Sequence, residues 1–106
     1  NLLLVPPADI LTANASWPFY VEDEPAGSCA TSPVSPDTLC LHHVEILPRL
    51  QNKGHGTMLI RQLLAHLQKF GIRRLILHVS GNNAPAVALY KKTGFHITET
   101  LSYYLY

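Results

Sequence analysis

Between Leu59 and Phe70 the apolar residues Leu59, Ile60, Leu63, Leu64, Leu67 and Phe70 recur at spacings of three and four. That is the stripe of an amphipathic helix, so a helix is predicted from Gly54 to Phe70, with Gly71 where a C′ glycine belongs. Leu75-Ile76-Leu77-His78-Val79 is a short apolar run that fits a buried strand. A second helix is predicted over Ala84 to Lys92, capped by Asn83, with Pro85 in its first turn and Gly94 at its end. Phe95 to Thr100 and Ser102 to Tyr106 alternate like two closing strands.

The front of the chain is punctuated differently. Of the eight prolines, Pro6, Pro7, Pro18, Pro25, Pro33 and Pro36 precede Thr38, which rules out a long helix there. Residues 1–18 read as an irregular segment. Phe19-Tyr20-Val21 reads as a short strand, Glu22 to Pro25 as a polar turn and Ala26 to Ser32 as a second strand. After a turn at Ser35-Pro36-Asp37, Thr38 to Leu47 forms a third strand that Pro48 ends. The expected order is β-β-β-α-β-α-β with room for one more strand: an α/β chain with a mixed sheet and helices packed on it.

Composition narrows the function classes. With 106 residues, 47% apolar and 14% charged, the chain suits one globular domain and not a disordered tail. A net charge of +1 with scattered Lys and Arg argues against nucleic-acid and membrane partners and for a small-molecule partner. No apolar run approaches the length of a membrane span, and Leu2-Leu3-Leu4-Val5 lacks the basic flank of a signal peptide. A cytoplasmic protein is therefore expected. Cys29 and Cys40 fit no zinc pattern and read as buried free thiols, a disulfide between neighbouring strands being the alternative. The histidines are spread over separate elements, so no metal is expected.

Chemistry concentrates at Gln51-Asn52-Lys53-Gly54-His55-Gly56, between a strand end and a helix start. Helix N-terminal amides lack intrahelical partners and sit at the positive end of the dipole, which makes an anion site. Gly54 and Gly56 lack the Cβ atoms that would hold a phosphate off those amides, and Lys53 adds a positive charge. A plain glycine-containing turn is the competing reading. The spacing fits neither a P-loop nor a three-glycine dinucleotide fingerprint.

Ile46-x-Pro48-x-x-Gln51-x-x-Gly54-x-Gly56 resembles the signature loop of the GNAT acyltransferases, which binds the pyrophosphate of coenzyme A. Asn83-x-x-Ala86-x-x-Leu89-Tyr90-x-x-x-Gly94-Phe95 is similar to that family's following helix. The resemblance covers residues 19–106 by element order. It implies a GNAT-like domain lacking the family's first strand and two helices: a trimmed or C-terminal portion of a longer protein, or a reduced member. Acetyl-CoA contacts are then implied at Ile46, Gln51, Asn52, Lys53, Gly54, His55, Gly56 and Thr57, and on the helix at Asn83, Ala86 and Tyr90. By the same resemblance Tyr90 is the acid for the departing thiolate; otherwise it is a core tyrosine.

In the third strand the alternation Leu39, Leu41 becomes Val44, Ile46, and a β-bulge between 41 and 44 is the simplest cause. The family is known for a bulge that parts this strand from the next and admits the pantetheine arm. An extra residue near His43 would put His42 and Glu45 on one face beside that opening. Either is a candidate base, and His42 has the more suitable ordinary pKa; both also read as polar residues satisfied by their neighbours.

The resemblance implies an N-acetyltransferase acting on a small-molecule or peptide amine. A coenzyme A-binding regulatory domain that works through a protein partner is the alternative, and a ligand-free interaction domain is a third. Tyr103-Tyr104-Leu105-Tyr106 offers an apolar edge to a homodimer.

Overall fold

The computed structural model describes residues 2–51, 53–78, 84–97 and 101–104. In chain order these form β1 (Leu2–Leu4), β2 (Ala15–Val21), β3 (Glu24–Ser35), β4 (Thr38–Ile46), a 3-10 turn (Pro48–Leu50), α1 (His55–Lys69), β5 (Arg74–Leu77), α2 (Ala84–Lys92), β6 (His96–Ile97) and β7 (Leu101–Tyr104). The strands make one sheet in the order β1-β2-β3-β4-β5-β7-β6. All neighbours are antiparallel except β4 and β5, which run parallel with α1 as their crossover. The mixed α+β architecture is the one the sequence predicts, with one more strand at the front.

That extra strand corrects the expectation of an irregular segment over residues 1–18. Leu2 and Leu4 are buried while Leu3 faces out, and the three residues pair with Val21, Tyr20 and Phe19. The amide of Gln62 on α1 completes the pairing on the free side: its Oε1 accepts from Leu4 N–H at 2.9 Å and its Nε2 donates to Leu2 C=O at 2.7 Å. The second strand also starts earlier than expected, because buried Ala15, Trp17 and Phe19 alternate through Pro18.

The first hairpin is tighter than the four-residue turn expected. Val21 pairs with Glu24, and Glu22 and Asp23 both take positive φ, at 52° and 66°. Two consecutive left-handed residues make a type I′ turn, which matches the twist of the flanking strands.

Helix α1 buries Leu59, Ile60, Leu63, Leu64 and Leu67 against the sheet. Phe70 was expected on that stripe, but it follows the last helical residue and is exposed, whereas Gly71 takes φ 80° as a C′ glycine does. The sheet face under α1 carries Trp17, Cys29, Thr31, Leu39, Leu41 and Leu75, all buried. Trp17 donates to Thr31 Oγ1 at 3.0 Å and its ring meets His66 of α1, so the buried polar groups there are paired.

The strand after α1 is shorter than expected. Strand β5 stops at Leu77. β7 lies between β5 and β6, but β6 pairs only with Leu101 and Ser102, so among the described residues Tyr103 and Tyr104 pair with β5 alone; Leu105 and Tyr106 lie outside the described residues. Among the described residues no helix is long and apolar enough to cross a membrane.

Candidate functional site

The parallel strands β4 and β5 run together from Thr38 and Arg74 to Leu41 and Leu77, and there β5 ends while β4 continues to Ile46. At this point β4 carries one residue too many. Cys29 pairs with Val44 and Thr31 with Leu41, so His42 and His43 together oppose Ala30. The bulge predicted between 41 and 44 is present, and beyond it β4 has no strand on its β5 side among the described residues.

The sense of the freed backbone follows from the ladder. Leu47 N–H donates to Ala26 C=O at 2.9 Å. Bonded and non-bonded pairs alternate in an antiparallel pair, so the groups of Ile46 turn to the opposite side. There Gln51 Nε2 donates to the Ile46 carbonyl at 2.9 Å, which closes the loop between them. Val44, two residues earlier, shares that sense and presents its N–H and C=O to the cleft.

Helix α1 begins at the mouth of this cleft. Its N-cap is Gly54 with φ 83°, without a side-chain cap bond and without an acidic residue in the first turn. The first turn therefore keeps its amides open at the positive end of the helix. A cleft of about 550 Å3 runs from this turn along β4 to α2, lined among others by Val44, Ile46, Gln51, Gly54, Gly56, Thr57, Ala86 and Tyr90. Gly56 is where α1 meets α2: a Cβ there would lie 3.2 Å from the Leu89 side chain.

Tyr90 of α2 lines the cleft. It is buried, its ring meets Phe95 edge-on at 5.3 Å, and Phe95 N–H donates to its carbonyl at 2.9 Å. Thr93 Oγ1 donates to the carbonyls of Leu89 and Tyr90 and so caps this end of α2. Burial, and secondarily the nearby Cys29, raise the Tyr90 phenol above its ordinary pKa and keep its proton on. Burial also pushes the Cys29 thiol up to about 12. Cys29 and Cys40 are both free and buried, as the first of the two sequence readings had it.

The structure brings Ile46, Gln51, Gly54, Gly56, Thr57, Ala86 and Tyr90 together around one cleft. Two other expected contacts stand apart from it. Lys53 is exposed, and the His55 ring turns back so that Nδ1 lies 3.3 Å from the Leu50 carbonyl. Asn52 and Asn83 lie outside the described residues. His42 and Glu45 are exposed, and His42 Nε2 lies 2.5 Å from Ser32 Oγ. Among the described residues no group of three or more His, Cys, Asp or Glu is placed to hold a metal ion.

Sequence reasoning names Val44 and Leu89 only for the strand parity and the helix motif, and it misses Gly27 and Ser32. A lone glycine inside a strand signals a close backbone approach, and Gly27 makes one with β4. Ser32 carries no sequence signal, because it meets His42 only through the register of β3 on β4.

A mixed sheet opened between two parallel strands, with a glycine-led helix start at the mouth of the opening, defines an α+β class with a cleft between strand and helix. Within that class the chain belongs to the GNAT acetyltransferase family, whose model matches residues 6–95. A mycothiol acetyltransferase of Saccharomonospora viridis is 44% identical over 57 residues, which are 54% of this chain and 19% of that protein. The ribosomal protein bS18-alanine N-acetyltransferase of Salmonella typhimurium is 34% identical over 74 residues, 70% of this chain and 50% of that protein. The chain thus spans about a fifth to a half of the length of these curated relatives. A GNAT family acetyltransferase of Elizabethkingia anophelis, solved with acetyl-CoA bound, shares the fold at a TM-score of 0.82 and 16% identity, over 88% of this chain and 77% of that one.

Proposed function

We propose that this chain binds acetyl-CoA in the cleft between β4 and α2 and transfers its acetyl group to an amine of a small molecule or peptide. One observation carries the reading: the strand parting at the His42-His43 bulge opens directly onto the unfilled first turn of α1. The pyrophosphate rests on the amides of Gly54, Gly56 and Thr57. The pantetheine arm lies along Val44 and Ile46, whose backbone groups pair with its amides as a neighbouring strand would. The relatives named for acetylating mycothiol and a ribosomal protein alanine agree with amine acceptors of either size.

The chemistry is that of acyl transfer from a thioester to an amine. An unprotonated amine attacks the thioester carbonyl, the C–N bond forms and the C–S bond breaks. The amine proton passes to His42 or Glu45, and the coenzyme A thiolate takes the Tyr90 hydroxyl proton. Burial keeps the Tyr90 phenol protonated, so the proton is there to give. Tyr90→Phe removes only that hydroxyl. It should lower kcat about 10- to 100-fold and leave acetyl-CoA affinity unchanged, as read by free-thiol release across an amine panel beside a binding titration. An unaltered rate removes Tyr90 as the acid. Binding by the unmodified chain without thiol release assigns it to the regulatory reading.

A further inference from the structure

The geometry points to Ser32 as the positioning residue that fixes the His42 ring and selects Nδ1 as its proton-accepting nitrogen. This rests on the transferase reading above and assigns one of its two candidate bases. On β3, Ser32 pairs with Cys40, two residues before His42 on β4. Without the bulge, Leu41 and Val44 would fall on opposite faces. With it, His42 and His43 share one position opposite Ala30, and the His42 ring leans back over β3 until Nε2 is 2.5 Å from Ser32 Oγ.

Direct proton transfer to Nδ1 requires one sense of this bond. When His42 accepts a proton, both ring nitrogens carry hydrogen, and Nε2–H must donate to a lone pair of Ser32 Oγ. If Nε2–H already donates to Oγ in the neutral ring, Nδ1 holds the free lone pair, and taking the amine proton there needs no ring turn. The new positive charge also strengthens the Nε2–H bond to Oγ. The opposite sense, with the hydroxyl donating to Nε2, leaves hydrogen on Nδ1, and the ring could then take the amine proton only through the Ser32 hydroxyl. Glu45 and His43 on β4, together with His78 just after β5, are the other titratable groups on these elements near the ring, and all are exposed.

Histidine 15N spectra and steady-state kinetics of Ser32→Ala, Ser32→Thr and His42→Ala test the assignment on the same chain. The parent protein should show a His42 ring protonated at Nε2 and bare at Nδ1. Ser32→Ala should lose that fixed tautomer and lower kcat about tenfold, with KM for acetyl-CoA within about twofold, and Ser32→Thr should restore both. A ring protonated at Nδ1, a Ser32→Ala variant with the parent kcat, or a His42→Ala variant with the parent kcat would each overturn the assignment. Acetyl-CoA affinity separates the two levels: its absence from the parent protein sinks the transferase reading itself, whereas intact affinity with an unchanged Ser32→Ala rate sinks only the role of Ser32.

Discussion

A Cβ on Gly27 would lie 1.9 Å from the Glu45 carbonyl oxygen and 2.7 Å from the Phe19 ring. Backbone cannot yield as a flexible side chain does, so Gly27→Ala must push β4 away from β3 at the segment that borders the cleft. Loss of about 3 kcal/mol of stability is expected, with weaker acetyl-CoA binding because Val44 and Ile46 move. Urea unfolding checks this, and an unchanged midpoint would contradict it. Cys29 sets a second residue-scale expectation. The unfolded thiol titrates near 9.0 and the folded one near 12, so its burial is harmless below 9 and favours the unfolded state as pH rises from 9 toward 12. The slope is about 1.4 kcal/mol per pH unit. In Cys29→Ala this alkaline loss should shrink relative to the parent protein, measured by urea unfolding at about pH 8 and about pH 10. Parallel losses in the two proteins would exclude Cys29 as the cause.

At the scale of elements, β1 is a three-residue strand at the end of the sheet, too short to hold by pairing alone. Its free side is occupied by the Gln62 amide, which bonds Leu2 and Leu4 across about 60 residues of chain as another strand would. Gln62→Ala should cost about 1–2 kcal/mol and speed amide exchange at Leu4 selectively; slow exchange there would show that Gln62 is dispensable. Such a contact has no local signature, which is why the sequence reading left residues 1–18 irregular. Helix α1 was legible because its burial repeats at the helical period. The bulge was legible because it shifts the parity of apolar residues from Leu39 and Leu41 to Val44 and Ile46. The place of β7 between β5 and β6 was not legible, because strand order is decided by long-range pairing; β6 reaches only Leu101 and Ser102 and leaves Tyr103 and Tyr104 paired with β5 alone among the described residues. The same limit hid Ser32, whose meeting with His42 depends on register.

For the molecule as a whole, three local choices converge: β5 stops early, β4 bulges where β5 stops, and α1 starts at Gly54 without a side-chain cap. Their agreement makes a cleft with open amides at its mouth and a protonated tyrosine in its lining. Gly54 is the position at which this account is most exposed to test. A Cβ added there meets no heavy atom within 4 Å, and aspartate tolerates the left-handed backbone better than most residues. Gly54→Asp should therefore fold while placing a carboxylate at the proposed phosphate site. The deciding measurement is calorimetric titration of the parent chain and Gly54→Asp with acetyl-CoA. Saturable one-to-one binding by the parent, lost in a variant that still unfolds cooperatively, is the predicted result; equal affinity in the two proteins, or no binding by the parent, would contradict it.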